Sequence, residues 1–416
     1  MPLPEPPTEH APRPRLRHVG WSLAGNVIYS ACQWGVLVAL AKLGDPVAVG
    51  RFALGLAVAA PILTLSQMQL RGIQATDARE EHPFGVYLAL RLLTSAVALL
   101  VILGVAGFGR FARDTAVVLA VIGVAKGMDA VSDVYYGHWQ RRYCFRRVAV
   151  VQVTNGLVTL AAVSGLMAVT GQVAWAAFGS ALGSAAALGY AGWLERRVRL
   201  QWRRPALLRL ARLAWPLGVV TMLGAANANA PRYFVAGWLG ERELGVFAAL
   251  TYLTVVGSTV VMAIGQAASP GLAEHYARGE TRAFRAVVLR MALGGIALGA
   301  VGVVAAVFAG RWILSAFYEP EYGAAAPALT WTMASAGVLF VASFLGYALT
   351  AARRFAVQMP VAAASLIANA AGCPLLVRSL GLRGAAAAMG ISAAVQCAAM
   401  GFALSRALRE REGVAP

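Results

Sequence analysis

Charged residues are scarce in this chain. They make up 13% of its 416 residues, and lysine occurs only as Lys42 and Lys126. Soluble domains are about 25% charged. Hydrophobic residues reach 59% and the mean hydropathy is +0.66, so the chain has more apolar surface than a soluble globule of this size can bury. The composition therefore excludes a disordered, collagenous or soluble nucleic-acid-binding protein.

Residues that bind metals or attack substrates are also few. The five histidines and four cysteines (Cys32, Cys144, Cys373 and Cys397) are scattered, without the spacing of a metal site or a disulfide framework. The connections between apolar segments are too short for a folded catalytic domain, and no nucleophile constellation occurs in the sequence. We therefore expect no catalytic residue, no metal, no cofactor and no enzymatic activity.

Long apolar segments are what the sequence has in abundance. A membrane-spanning helix needs about 20 mostly apolar residues. Twelve such windows occur, near 19–41, 52–69, 84–107, 115–137, 148–170, 173–194, 213–238, 244–266, 287–308, 326–349, 358–377 and 384–405. The sequence thus predicts an all-α polytopic membrane protein with about twelve transmembrane helices.

The arginines predict the orientation of these helices. The net charge is +18, and the arginines outside the spans lie mainly in loops on the side of the N-terminus. Cytoplasmic loops carry such an excess of basic residues. Residues 1–18, whose prolines prevent a helix, are expected to form a disordered cytoplasmic tail, and residues 406–416 a second tail. Both termini are therefore expected in the cytoplasm.

Two stretches of the chain resemble each other. Leu43-Gly44-Asp45 is followed after four residues by Gly50-Arg51-Phe52-Ala53, and Leu239-Gly240-Glu241 is followed after three residues by Gly245-Val246-Phe247-Ala248. Each stretch joins the first and second spans of a six-span half and runs in the same direction. The sequence therefore predicts two parallel six-helix repeats.

A weaker similarity supports this duplication. Residues 171–185 resemble residues 381–394, and the two segments precede the sixth and twelfth spans. We expect an N-terminal lobe at 19–200 and a C-terminal lobe at 201–405. Two such lobes that meet at the midplane are typical of alternating-access transporters.

Several segments resemble a known family. They are residues 43–52, 230–234 (Ala-Pro-Arg-Tyr-Phe), 239–250, 265–270 (Gly-Gln-Ala-Ala-Ser-Pro) and 381–386. They resemble the bacterial oligosaccharide flippases, which are Wzx-like polysaccharide transporters of the MOP (multidrug/oligosaccharidyl-lipid/polysaccharide) superfamily. The similarity extends over most of the chain and implies the MATE-like two-lobe fold of that superfamily.

The resemblance also implies a function. Such a protein would flip an isoprenoid-diphosphate-linked oligosaccharide from the cytoplasmic to the periplasmic leaflet of the bacterial inner membrane, for O-antigen, capsule or exopolysaccharide synthesis. The resemblance also implies a cationic cavity and H⁺ or Na⁺ coupling. It further implies that the protein functions together with glycosyltransferases and a polymerase. Two features differ from this expectation. Lipid II flippases of the superfamily usually have fourteen spans, whereas twelve occur here. Because lysine is scarce, arginine must supply most of the positive charges that bind the cargo.

Ionisable residues within the spans are the main site candidates, because each costs at least about 2.5–3.5 kcal/mol to insert. Lys126, Asp129 and Asp133 share one face of the fourth span, at spacings of three and four. Arg91 lies in the third span and Arg232 in the seventh. We expect Arg91, Lys126 and Arg232 to bind the diphosphate at different stages.

The two acidic residues have two possible roles. Asp129 and Asp133 are expected either to hold the cations apart or to take up a coupling proton. The alternative is that Lys126, Asp129 and Arg91 form an ion-pair network that only joins helices.

Uncharged polar residues within the spans are candidates for sugar contacts. Asn26 and Gln33, seven residues apart, share a helix face. The alternative is that these residues join helices by hydrogen bonds. The full set is Asn26, Gln33, Asn155, Asn227, Asn229 and Asn369.

Other functions and partners remain open at this point. A MATE-like cation-coupled exporter of small molecules would favour acidic residues, whereas the spans hold three cations and two anions. A membrane glycan polymerase or ligase would need more chemistry than the loop near 309–325 offers. The loops at 137–150 and 195–212 mix arginine with aromatic residues, which is typical of segments that contact anionic membrane lipid. They give no indication of nucleic-acid binding.

Overall fold

The computed structural model describes residues 16–77 and 81–411, and within these ranges the regular structure is entirely helical. The α-helices are α1 (Leu16–Leu43), α2 (Pro46–Gln67), α3 (Leu70–Thr76), α4 (Phe84–Phe108), α5 (Arg113–Arg141), α6 (Phe145–Thr170), α7 (Val173–Leu194), α8 (Arg204–Trp238), α9 (Glu241–Arg278), α10 (Thr281–Phe317), α11 (Ala326–Ala351), α12 (Gln358–Leu380) and α13 (Leu382–Arg411). Short 3₁₀ helices cover Pro320–Ala325 and Phe355–Val357.

Twelve helical segments are long and apolar enough to cross a membrane, as the sequence predicted. The second of them, Pro46–Ala75, contains both α2 and α3, and every other span is formed around a single α-helix. Most of the tail expected at residues 1–18 lies outside the described residues, and α1 begins at Leu16. At the other end α13 continues to Arg411.

Three helices of the second half extend beyond their hydropathy windows. The helices α8, α9 and α10 have 35, 38 and 37 residues. At 1.5 Å per residue they are about 50–57 Å long, well beyond the ~30 Å hydrocarbon core of a bilayer. Hydropathy finds only the apolar part of such a helix, because polar residues such as those at 204–212 continue it into water.

Capping residues explain where two of the helices begin and end. Asp45 precedes α2 in an extended conformation, and its Oδ1 accepts a hydrogen bond from the backbone N–H of Ala48 at 2.7 Å. Pro46 follows at the first helical position, where its missing N–H has no cost. At the end of α9, Gly279 adopts a left-handed conformation with φ of 74°, which favours glycine.

The same helix pairs pack in both halves. In the first half α1 packs on α6, α6 on α7, α7 on α5, and α5 on α2 and α4. In the second half α8 packs on α12, α12 on α13, α13 on α11, and α11 on α9 and α10. The packing order is therefore repeated, which confirms the two parallel six-helix repeats. We refer to α1–α7 as the N-terminal lobe and to α8–α13 as the C-terminal lobe.

The helix ends define two faces of the bundle. The terminal face contains the start of α1 and the end of α13, and the opposite face contains the α1–α2 and α8–α9 connections. Near the opposite face one apolar cluster joins the lobes, since Val49 and Phe52 of α2 belong to the same core as Ala248 and Leu250 of α9. Of the other large clusters, one lies within the C-terminal lobe, and two combine residues of the N-terminal lobe with residues of the C-terminal lobe.

Two glycines allow the lobes to cross closely at the opposite face. A Cβ atom on Gly50 of α2 would collide with the carbonyl oxygen of Glu241, and one on Gly245 of α9 with that of Pro46. Gly50 and Gly245 are the corresponding glycines of the two stretches that resemble each other in the sequence. The internal repeat therefore places its own two copies in contact.

Candidate functional site

Lys126 lies near the middle of α5, and its closest partner is Asp129 of the same helix. Its Nζ lies 2.9 Å from Asp129 Oδ2, and the hydroxyl group of Tyr29 of α1 lies close enough to interact with it electrostatically. The second oxygen of Asp129 accepts a hydrogen bond from Asn155 Nδ2 of α6 at 2.8 Å. The Lys126 side chain remains 27% exposed. It is therefore fixed by three helices and still accessible to a ligand.

Arg232 supplies a second cation, from α8 of the C-terminal lobe. Its Nη1 donates to Asn229 Oδ1 at 3.1 Å and its Nη2 donates to Thr251 Oγ1 of α9 at 3.3 Å. Within the described part of the chain no carboxylate forms an ion pair with Arg232. Its positive charge is therefore held by neutral groups and stays available for an anion.

Tyr252 of α9 connects these two cations. It lies close enough to interact electrostatically with Lys126 of one lobe and with Arg232 of the other. We define the central site as Tyr29, Lys126, Asp129, Arg232 and Tyr252. Two cations and one carboxylate give this site a net positive charge, contributed by both lobes.

Tyr29 and Tyr252 were not among the site candidates predicted from the sequence. Tyr29 is three residues after Asn26 and four before Gln33, so these residues share one face of α1. That spacing was a usable indication for Tyr29. Tyr252 gave no comparable indication, because a tyrosine in an apolar span is equally typical of a packed core.

Arg91 and Asp133 belong to a second cluster closer to the terminal face. Asp133 of α5 contacts Arg71 Nη1 of α3 at 3.1 Å and Arg91 Nη2 of α4 at 3.7 Å. The Arg91 side chain is 0% exposed, so it does not reach the central site in this conformation. The charges of the fourth span thus form two separate groups, Lys126 with Asp129 and Asp133 with two arginines.

Most candidate sugar contacts bond to other side chains. Asn26 accepts from Gln152 Nε2 at 3.1 Å, and Asn155 bonds to Asp129 as described above. In the C-terminal lobe, Asn369 Nδ2 donates to Asn227 Oδ1 at 3.0 Å, and Ser392 donates to the same oxygen at 3.0 Å. Asn229 supports Arg232, and Gln33 is half-buried.

The two sides of the lobe interface differ in how tightly they are packed. On one side α2 packs on α8, whereas α1 and α9 make no comparable contact. A groove of about 430 Å³ lies between α1 and α9, and its lining is almost entirely apolar. The lining includes Val27, Ala31, Val256 and Val260, and also Tyr252 of the central site. The groove therefore borders the central site at Tyr252.

A polar network closes the lobes at the opposite face. Arg51 of α2 pairs with Glu241 of α9 at 2.8 Å and with Asp114 of α5 at 3.0 Å. Trp34 Nε1 of α1 donates to the hydroxyl of Tyr318, just after α10, at 3.1 Å. In the sequence Arg51 stands out only as part of the repeated stretch, and its partners Glu241 and Asp114 were not predicted.

The architecture is that of a known class of membrane transporter. The chain is similar to the inward-facing conformation of a multidrug resistance MATE family transporter of the MOP superfamily. The TM-score is 0.80 at 12% identity, over 95% of this chain and 100% of that one. It is also similar to the lipid II flippase MurJ in an inward closed conformation. The TM-score there is 0.78 at 10% identity, over 94% of this chain and 90% of that one. These similarities define the fold as that of the MOP superfamily.

The sequence comparisons give the family. The capsular polysaccharide biosynthesis protein CapF of Staphylococcus aureus is 22% identical over 387 residues, which are 91% of this chain and 96% of that protein. The family model described as polysaccharide biosynthesis protein matches residues 40–293, more than half of the chain. The chain belongs to this polysaccharide biosynthesis protein family. It is a multi-pass membrane protein with the transporter and flippase fold that the sequence predicted.

Proposed function

We propose that this protein flips an isoprenoid-diphosphate-linked oligosaccharide from the cytoplasmic to the periplasmic leaflet of the bacterial inner membrane. The glycan would serve surface polysaccharide synthesis, as O-antigen, capsule or exopolysaccharide. The arginine-rich terminal face is then cytoplasmic, and the opposite face is periplasmic. Glycosyltransferases on one side and a polymerase on the other would act beside it.

One observation supports this cargo above the others: Tyr252 lines the apolar groove and also lies close enough to interact electrostatically with both cations of the central site. A lipid-linked diphosphate has the same division, with a long apolar chain next to a polyanion. The isoprenoid chain of the cargo can remain in the groove between α1 and α9 while the diphosphate reaches Lys126 and Arg232. A soluble anion has no apolar part that would bind in the groove.

Alternating access explains how such a cargo would cross. The lobes at 19–200 and 201–405 rock against each other around the central site. In the present conformation the periplasmic ends are joined by Arg51 and Glu241, and the groove side is less tightly packed. Cargo would enter from the cytoplasmic leaflet, and separation of Arg51 from Glu241 would then open the periplasmic side.

Each charged residue has a proposed role. Lys126 and Arg232 bind the diphosphate, the first as a point charge and the second as a planar pair of donors. Arg91 would join only in a conformation that exposes it. Asp129 holds Lys126 until the diphosphate competes for it, and Asp129 and Asp133 are the candidates for taking up a coupling proton.

The uncharged polar residues divide into two groups in this proposal. Asn227 and Asn369 line a cavity of about 230 Å³ in the C-terminal lobe, together with serines and Gln396, and this cavity is a candidate for sugar hydroxyls. Asn26, Asn155 and Asn229 would contact sugar only by exchanging present hydrogen bonds, and Gln33 is half-buried in α1. Such exchanges cost little, since each bond contributes about 1 kcal/mol.

The alternative cargo is a small cation, as for a MATE-like exporter. The fold is as compatible with a small cation as with a lipid-linked oligosaccharide. The net positive charge of the central site, with Arg232 held only by neutral groups, would repel a cation, however, so we favour the anionic lipid. A membrane glycan polymerase or ligase is less compatible still, because the two solved structures compared above are a transporter and a flippase.

Deletion of the gene tests the proposed function. The diphosphate-linked glycan intermediate should accumulate in the cytoplasmic leaflet, where a membrane-impermeant glycan-modifying reagent added to intact spheroplasts does not reach it. Lysed cells give the total amount of intermediate. An intermediate that still reaches the periplasmic leaflet at a normal rate in the deletion strain would contradict the proposal.

Arg232→Ala should lower transport at least ten-fold, because a hydrogen bond to a charged group contributes about 1.5–3 kcal/mol. Arg232→Lys should keep part of the activity, since it retains the charge without the fork of donors. The measurement is flipping of a lipid-linked oligosaccharide in proteoliposomes at equal protein content. Arg290→Ala, at an exposed arginine of α10, is the matched control and should transport normally. Normal transport by Arg232→Ala would remove Arg232 from the site.

A further inference from the structure

The second span contains a break that has no glycine or proline at its centre. Met68 has φ of 47° and ψ of 25°, and Gln69 has φ of 52° and ψ of 26°. Both residues are therefore left-handed, a conformation that is unfavourable for residues with a Cβ atom. Two consecutive residues of this kind separate α2 from α3. Such outliers persist only where their surroundings hold them.

Side chains from both lobes lie against the carbonyl groups that the break releases. In a continuous helix, Ser66 O would accept from the N–H four residues later, and so would Thr64 O. Instead Ser66 O accepts from Arg91 Nη1 at 3.4 Å, and Thr64 O lies 3.4 Å from Thr221 Oγ1, whose one O–H can also donate to Leu217 O or Gly218 O of its own helix. Arg91 belongs to the N-terminal lobe and Thr221 to the C-terminal lobe.

The helix α8 of the C-terminal lobe lies directly on the break. A Cβ atom on Gly218 would come within 2.9 Å of Leu65 O and 3.2 Å of Met68 Cα. Any movement of the C-terminal lobe along or away from α2 therefore changes the contacts at the break. A continuous second span would fit a different position of α8.

Arg91 is only partly satisfied while the break persists. It is fully buried, and within the described residues its Nε and Nη2 have no hydrogen-bond partner. Asp133 Oδ2 lies 3.7 Å from Nη2, outside hydrogen-bonding distance. Buried donors without partners are costly. Such partial satisfaction of Arg91 is typical of one of two alternative conformations of the same segment.

We propose that Met68 and Gln69 form a hinge of the transport cycle, broken in the present conformation and helical in the state that opens to the opposite face. Arg91 is the positioning residue that holds the broken form through Ser66 O. When the lobes rock, α8 leaves the break, α2 and α3 become one helix, and Arg91 loses its carbonyl acceptor. The Arg71–Asp133 pair then changes, since Arg71 moves with α3. The hinge serves any cargo, so it is independent of the proposed substrate.

Substitutions at Gln69 test the hinge, because its side chain is exposed and only its backbone conformation should matter. Gln69→Gly removes the cost of the left-handed conformation, and Gln69→Val raises it. Spin labels at Arg142→Cys and Arg282→Cys, on exposed residues of the two lobes at the terminal face, report the lobe distance in nanodiscs without cargo. The four native cysteines are replaced by alanine.

The expected result is a difference between the two variants. The ratio of the broken-state distance to the alternative distance should be about five- to thirty-fold lower in Gln69→Val than in Gln69→Gly. Gln266→Gly and Gln266→Val, at an exposed helical glutamine of α9, should not differ from each other. Identical distributions for the two Gln69 variants would overturn the proposal, and so would an equal difference at Gln266.

A second set of variants tests Arg91 by rescue. Arg91→Leu should shift the distances in the same direction as Gln69→Val, because the broken form loses its hydrogen bond at Ser66 O. Adding Gln69→Gly should return the distribution toward that of the parent. If Gln69→Gly leaves the Arg91→Leu distribution unchanged, the positioning role of Arg91 is contradicted. If Arg91→Leu does not fold, the Gln69 pair alone decides the proposal.

Discussion

Replacement of Lys126 by methionine is expected to abolish transport, with a loss of at least a hundred-fold. Methionine keeps much of the length of the side chain and removes the charge. The central site then loses one of its two cations, and Asp129 remains as an uncompensated carboxylate. Asp129 is then left partly buried without its ion-pair partner, which destabilises the site, and an unpaired carboxylate also repels a diphosphate. Flipping in proteoliposomes, at equal protein content, measures the effect.

A double variant separates the two roles of Lys126. In Lys126→Met/Asp129→Asn the unpaired carboxylate is gone, and the asparagine can still bond to Asn155. If Lys126 served only to neutralise Asp129, transport would return in the double variant. If Lys126 binds the cargo, the double variant stays inactive although its thermal stability recovers. Lys126→Arg should retain part of the activity, since it keeps a cation for phosphate.

The number, order and repeat of the helices were predictable from the sequence. Hydropathy windows and the similarity between Gly50-Arg51-Phe52-Ala53 and Gly245-Val246-Phe247-Ala248 were sufficient for that. The lengths of α8, α9 and α10 were not, because hydropathy ends where a helix leaves the apolar layer. The break at Met68 and Gln69 was not predictable either. Neither residue favours a left-handed conformation, and the contacts that hold it come from α4 and α8.

The candidate site was predictable only within one helix. The spacing of three residues correctly placed Lys126 beside Asp129, because side chains at i and i+3 are neighbours on a helix. Contacts between helices depend on packing that a single sequence does not contain. For this reason Arg91 was expected near the cargo, whereas the structure buries it beside Ser66 and Asp133. The pairing of Arg51 with Glu241 was missed for the same reason.

Gly245→Val is expected to prevent closure of the opposite face and thereby abolish transport. Valine at this position places its side chain against the backbone of Pro46 and Gly50, and backbone atoms cannot move aside as a flexible side chain can. Overpacking in a well-packed core costs about 1–3 kcal/mol, and here parting of the two lobes relieves it. Spin labels at Gln172→Cys and Leu380→Cys, both on exposed residues near the opposite face, should move apart.

Gly294→Val is the matched control for this prediction. Gly294 is an exposed helical glycine of α10, and a Cβ atom added to it would have no neighbouring atom within 4 Å, so valine fits there without a collision. This substitution should leave both the label distance and transport unchanged. Gly50→Val should behave like Gly245→Val, because the two glycines approach each other from corresponding positions of the repeat. A closed distance and normal transport in Gly245→Val would show that the lobes do not need this crossing. The collision thus tests whether the contact between the two repeats is the point about which the opposite face opens and closes.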